Sequence, residues 1–156
     1  MDVTSDTIAS TINNCVNYTK EEPTIDTASL VSHLKTEFET VFSSTYNNCF
    51  VVFFVNEGKG TGAYGRAEDI SNNSRYVVVV ANGLEDTTSA HELLHTAGLY
   101  HSFDNNSVFT RKECLTDNIM DYSDIAVPPL TPLNLVSIWK EQEKIIKKHN
   151  LIKPEV

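Results

Sequence analysis

The chain has 156 residues, a length that suits one domain, and its 40% hydrophobic and 21% charged composition supplies enough apolar side chains for a core. Twelve Lys and Arg against 21 Asp and Glu give a formal net charge of −9, and the one basic cluster, Lys144 to Lys148, is short and mixed with Ile, so nucleic acid is not an expected partner. The longest apolar runs, Phe50 to Val55 and Tyr76 to Ala81, fall far short of the ~20 residues that cross a bilayer, which excludes an integral membrane role of the helical kind.

Met1 to Ser10 has neither a basic start nor an apolar stretch, so no secretory signal is expected there. Residues 1 to 25 read as a peripheral N-terminal segment of a single domain covering 1–156, with weak periodicity through Ile8, Ile12 and Cys15. From Thr27 the spacing of Leu30, Val31, Leu34, Phe38, Val41 and Phe42 predicts an amphipathic helix to about residue 44, with Thr24, Asp26 or Thr27 available as its cap. Cys49 to Val55 is unbroken apolar sequence, which suits a strand buried on both faces and central in a sheet. The glycines at 58, 60, 62 and 65 lack the Gly-Lys-Ser/Thr ending of a phosphate loop; an edge strand over residues 62 to 67 is the better reading.

A second buried strand is expected over 75 to 81, closed by Asn82-Gly83. Asp86 to Ser89 then opens a helix running to about Ala97, and Leu135, Val136, Ile138, Trp139, Ile145 and Ile146 mark a C-terminal helix from Asn134, with Trp139 in the core. His33 and His149 have no partner at ligand spacing and read as surface residues. Three cysteines, 15, 49 and 114, with no Cys-x-x-Cys spacing suggest free thiols. The order of elements gives one α+β domain with α/β-like character.

The chemistry lies in His91-Glu92-Leu93-Leu94-His95-Thr96-Ala97-Gly98-Leu99-Tyr100-His101. Residues four apart share a helix face, so His91 and His95 can reach one ion. Gly98 can take the left-handed conformation that ends a helix, and the chain can then swing His101 round as a third ligand. Three neutral imidazoles leave a position open, the pattern of catalytic zinc. Glu92 is placed to act as general base, which fits amide hydrolysis.

This string resembles the metzincin clan of zinc endopeptidases, defined by His-Glu-x-x-His-x-x-Gly-x-x-His and a later Met-turn. The Met-turn counterpart is Asn118-Ile119-Met120-Asp121-Tyr122, with Met120 19 residues after His101. The resemblance implies one catalytic Zn2+ held by His91, His95 and His101, an apolar floor at Met120, and a role for Tyr122 at the metal or the oxyanion. It also implies a mixed twisted sheet whose antiparallel edge, Gly62, Ala63, Tyr64 and Gly65 to Ala67, holds an extended protein or peptide substrate. Residues 123 to 133, with Pro128, Pro129 and Pro132, would wall the pocket beyond the scissile bond. Ser102 is similar to the matrixin pattern and Tyr122 to that of astacins and serralysins.

The wording Leu-Tyr-His-Ser-Phe and Asn-Ile-Met-Asp-Tyr-Ser also resembles small metallopeptidase modules at the C-termini of bacterial exported or toxin-like proteins. That resemblance implies delivery by a larger parent, a monomeric module, and an inhibitor or immunity protein as a further partner. The location of action itself is left open. Two structural readings compete: Ser89-x-x-Glu92 fits a capping box, and the three histidines also suit a zinc-stabilised module that binds a protein without cleaving it. A fourth protein ligand from Asp104, Cys114 or Asp121 would mark such a module.

Overall fold

The computed structural model describes residues 10, 13–17, 19, 24–42, 45–56, 59–60, 63–71, 73–84, 87–122 and 137–153. Within these the protein is mixed α+β. Strands β1 (Val16–Asn17) and β2 (Thr24–Ile25) precede helix α1 (Thr27–Phe42); β3 (Val51–Val55), β4 (Lys59–Gly60), β5 (Gly65–Ala67) and β6 (Tyr76–Val80) follow, then helices α2 (Thr88–Thr96) and α3 (Lys140–Ile146). The small sheet has the order β1-β2-β4; the main sheet has the order β3-β6-β5, with β3 parallel and β5 antiparallel to β6.

The five-residue run Tyr-Val-Val-Val-Val explains the layering. Its side chains alternate between faces, and every one of them is buried. Tyr76, Val78 and Val80 pack with Leu30, Val31 and Leu34 of α1, while Val77 and Val79 pack with Ala67 and, toward α2, Leu93. Fully burying each such side chain contributes about 1.5–3 kcal/mol, so this one strand locks a helix to each face of the sheet. Asp26 starts α1: its carboxylate accepts hydrogen bonds from the Ala28 and Ser29 main chain and the Ser29 hydroxyl, and the Ser29 bonds hold its pKa below the ordinary value.

Several sequence expectations need correction. The central strand is β6, not the run at 49–55. β3 lies beside it, and Phe54 is 63% exposed, because an apolar run by itself does not reveal which edge finds a neighbour. Within residues 1–25, Ser10, Asn13, Asn14 and Thr19 are exposed, whereas Cys15 and Ile25 are buried in the α1-side core, with β1 and β2 paired beside it. The C-terminal helix begins at Lys140, and Trp139 is its half-buried N-cap rather than a core residue. His149 is buried, not on the surface. Its Nε2 donates to the Ser74 carbonyl at 2.9 Å, its Nδ1 accepts from the Leu151 amide, and its ring lies 4.9 Å from that of Phe50. His33 is exposed as expected, and Cys15 and Cys49 are free thiols. No helix among the described residues is long and apolar enough to cross a membrane. Gly62, Asp86, the proline segment 123–133 and the expected helix start at Asn134 lie outside the described residues.

Candidate metal centre

Helix α2 presents His91 and His95 one turn apart and then stops in a defined way. Gly98 has φ 93°, the Gly98 amide donates to His95 O and the Leu99 amide to Leu94 O. This pair of bonds is the Schellman arrangement, which favours glycine at the position past the cap because a left-handed backbone strains a side chain. The reversal brings the Leu99 carbonyl back to His95 and directs the following residues toward the helix face. His101 thereby closes on the same point.

All three rings are anchored from behind. His91 Nδ1 lies 2.7 Å from Ile119 O, His95 Nδ1 lies 2.6 Å from Leu99 O, and His101 Nδ1 lies 3.3 Å from Asp104 Oδ2. A carbonyl oxygen only accepts, so Nδ1 of His91 and His95 carries the proton and their Nε2 atoms carry lone pairs. Those Nε2 atoms converge, with His95 Nε2 3.1 Å from both His91 Nε2 and His101 Nε2. Two lone pairs facing each other at that distance repel unless a cation lies between them.

The spacing fits a metal. A tetrahedral ion with metal–nitrogen bonds of about 2.0–2.1 Å needs its ligand atoms about 3.3 Å apart. The three histidines offer one ligand atom each within 4.8 Å of one another, close enough to bind a metal ion together. Burial pushes the His95 pKa down to about 3, with the neighbouring His91 and His101 adding to the effect, and burial lowers His101 as well. His95 therefore stays neutral, ready to ligate, over most of the acid range.

The segment from Asn118 to Tyr122 is the second half of the scaffold. Met120 is fully buried; its carbonyl accepts from the Ser102 amide at 2.9 Å, and the Ile119 carbonyl just before it holds His91. Asp121, buried, gathers the amides of Cys114, Thr116 and Tyr122 and the Thr116 hydroxyl, which pins the loop in place and allows Cys114 its positive φ of 61°. Tyr122 sits beside the converging nitrogens, its hydroxyl 3.0 Å from His101 Nε2, and Phe103 stacks on the outer face of His101 with ring centroids 4.9 Å apart. Among the described residues no fourth His, Cys, Asp or Glu joins the group. Asp104 braces His101 from behind, and Asp121 is engaged by the loop.

Glu92 does not form the capping box with Ser89. Helix α2 has Thr87 at its N-cap position with no side-chain cap bond, and Glu92 Oε2 instead accepts the Ala67 amide of β5 at 2.7 Å. Burial is the main influence on this carboxyl and pushes its pKa up to about 7, against the opposing Ala67 bond and the more distant Arg66. Strand β5 is shorter than expected. Tyr64 and Ala63 precede it, and the Tyr64 carbonyl is used inward by the Val80 amide. The Tyr64–Val80 and Glu68–Tyr76 bonds set the ladder's alternation, so the main-chain groups of Gly65 and Ala67 face the outer edge.

Gly65 is needed where β5 passes under α2. A Cβ there would meet Thr88 Cγ2 at 2.7 Å, Glu92 Cγ at 2.8 Å and the Val78 carbonyl oxygen at 3.1 Å. Gly65→Ala is expected to destabilise the protein by about 1–3 kcal/mol and to displace Glu92, seen as a lower melting temperature in thermal denaturation. An unchanged melting temperature would contradict the close packing of β5 on α2.

The elements that carry the rear anchors, the Leu99 and Ile119 carbonyls and the Ala67 amide, are main-chain groups and leave no signature in side-chain identity. Asn118 and Asp121 stand in the sequence as members of the string around Met120, Asp121 also as a candidate fourth ligand, and their bonds within the loop appear only in the fold. No protein-family model, curated protein or solved structure matches the chain.

Proposed function

We propose that this protein is a zinc-dependent endopeptidase of metzincin type, with His91, His95 and His101 holding the ion and Glu92 as general base. The observation that carries the reading is the convergence of three Nε2 lone pairs, each ring fixed from behind, at the separation a tetrahedral ion requires. Zinc bound there supplies a Lewis acid that polarises a peptide carbonyl and lowers the pKa of water to about 7.

The chain's own residues then divide the remaining work. The outward main-chain edge of β5, the Gly65 amide and carbonyl and the Ala67 carbonyl, receives an extended peptide by strand addition, while the Ala67 amide stays with Glu92. Glu92, on the helix that carries two of the histidines and tied to Ala67, accepts the proton of the attacking water and passes it to the departing amine. Tyr122, with its hydroxyl beside His101 Nε2, is positioned to donate a hydrogen bond to the oxygen that gains charge as the carbonyl is attacked. Met120 lies buried in the loop that holds His91, consistent with a floor under the ligands.

A structural zinc centre in a binding module needs a fourth protein ligand, and the described residues offer no acidic, thiol or imidazole group for it. The test is digestion of an unfolded protein by the purified protein loaded with one equivalent of zinc. Cleavage abolished by a chelator and restored by zinc is expected; no cleavage of any unfolded substrate by the fully loaded protein would favour the binding module.

A further inference from the structure

The C-terminal helix α3 contributes no ligand, yet one of its side chains reaches the scaffold of the metal centre. Gln142 is 1% exposed, and its Oε1 accepts from Asn118 Nδ2 at 2.7 Å and from the Trp139 amide at 2.9 Å. Its Nε2 faces Asn118 Oδ1 at 3.4 Å, so the two amides pair in both directions. Asn118 is fully buried and its Oδ1 also accepts the Met120 amide at 2.9 Å, which shapes the turn from within.

The link continues along the chain. The Ile119 amide donates to Ser137 O, the Ser137 amide and hydroxyl donate to Asp117, and Asn118 and Ser137 form a parallel bridge. The strand-like piece entering α3 is thus laid against the turn whose Ile119 carbonyl anchors His91 Nδ1. Polar groups buried this fully lose free energy when unpaired, so the arrangement has few alternatives.

We infer that Gln142 is a positioning residue for the metal centre, setting the orientation of the His91 imidazole through Asn118 and the Ile119 carbonyl. This inference rests on the reading that the three histidines hold a metal ion. Outer groups that orient a ligating histidine commonly change metal affinity 10–100-fold, and the Gln142 contact acts one step further out, so an effect of about tenfold is expected.

The experiment titrates the full-length apoprotein with cobalt(II), reading affinity by competition with a chromophoric chelator and geometry by the visible absorption bands. Wild type, Gln142→Met and Gln142→Asn are compared with Leu34→Ala, a core variant in α1 that lowers stability away from the centre. Gln142→Met removes the amide at nearly constant volume. Gln142→Asn keeps an amide but draws it back by one methylene, and it carries the test if Gln142→Met does not fold.

Either Gln142 variant is expected to bind cobalt about tenfold more weakly with altered bands, while Leu34→Ala keeps wild-type affinity and bands. Wild-type affinity and bands in a folded Gln142 variant would overturn the positioning role and leave the metal reading standing. An equal loss in Leu34→Ala would reduce Gln142 to general stability and overturn it too. Failure of the wild type to bind one equivalent of cobalt would remove the metal reading itself and this inference with it.

Discussion

Glu92→Gln is expected to lower kcat for peptide hydrolysis by about 10²–10⁴-fold, the range a positioned general base supplies, while zinc content stays at one equivalent. Glutamine has the same shape, and its Oε1 can keep accepting the Ala67 amide, so the tie between α2 and β5 survives. What disappears is the capacity to take a proton. The substitution also removes a carboxyl whose burial disfavours its charged form, so thermal stability of the apoprotein above pH 7 should be equal or higher. A fluorogenic peptide assay, elemental analysis and a melting curve on one preparation separate these effects. Near wild-type turnover in a zinc-loaded Glu92→Gln protein would remove Glu92 from the chemistry and leave it as a brace for the edge strand.

The second large effect is on stability. At zinc concentrations about 1,000 times its dissociation constant, binding to the native state adds about 4 kcal/mol, and a domain of this size shifts by roughly 2–4 °C per kcal/mol, so a rise in Tm on the order of 10 °C is expected. His95→Gln should abolish most of that rise, since His95 is the nitrogen common to both short contacts.

The apoprotein adds a test through pH. The native His95 titrates at about 3 against an ordinary 6.5, so between those values the unfolded chain holds the extra proton and stability falls as pH falls. Glu92, at about 7 against 4.5, acts oppositely: the native state holds the extra proton, and stability falls as pH rises through that window. Each slope is about 1.4 kcal/mol per pH unit, so the two largely offset between pH 4.5 and 6.5. Below pH 4.5 the His95 contribution is unopposed, and a steeper loss of Tm is expected there. In His95→Gln only the lowered His101 still opposes Glu92, so between pH 4.5 and 6.5 Tm should fall with rising pH relative to the wild-type profile. A parallel pH profile for the two proteins would contradict the burial of a neutral imidazole.

The residues that announce themselves in the sequence are those whose spacing has a geometric meaning. Four residues on a helix bring His91 to His95, and a glycine past the last turn returns His101; the Schellman bonds at Gly98 supply that return. The valine run 77–80 was legible as a strand buried on both faces for the same reason, since every position has to be apolar when helices cover both sides. The run at 49–55 has the same composition and a different place in the sheet, because pairing partners are chosen by chain topology that local sequence does not encode. His149 was misplaced for a similar reason. A histidine in a Lys-rich tail becomes a core residue only once the tail folds back to the Ser74 carbonyl, a contact 75 positions away.

Glu92 shows how a local pattern can compete with a distant one. Ser89-x-x-Glu92 satisfies the capping-box spacing, and the carboxylate nevertheless turns to the Ala67 amide on a strand that the box knows nothing of. The Asn118–Gln142 pair was invisible for the same reason: two amides 24 positions apart carry no periodic signal.

The most direct test of the whole account is zinc K-edge X-ray absorption on the protein carrying one equivalent of zinc. Three imidazole nitrogens and one oxygen, with nitrogen distances of about 2.0–2.1 Å, are predicted. A sulfur scatterer near 2.3 Å, or fewer than three imidazoles on the ion, would contradict a centre built from His91, His95 and His101.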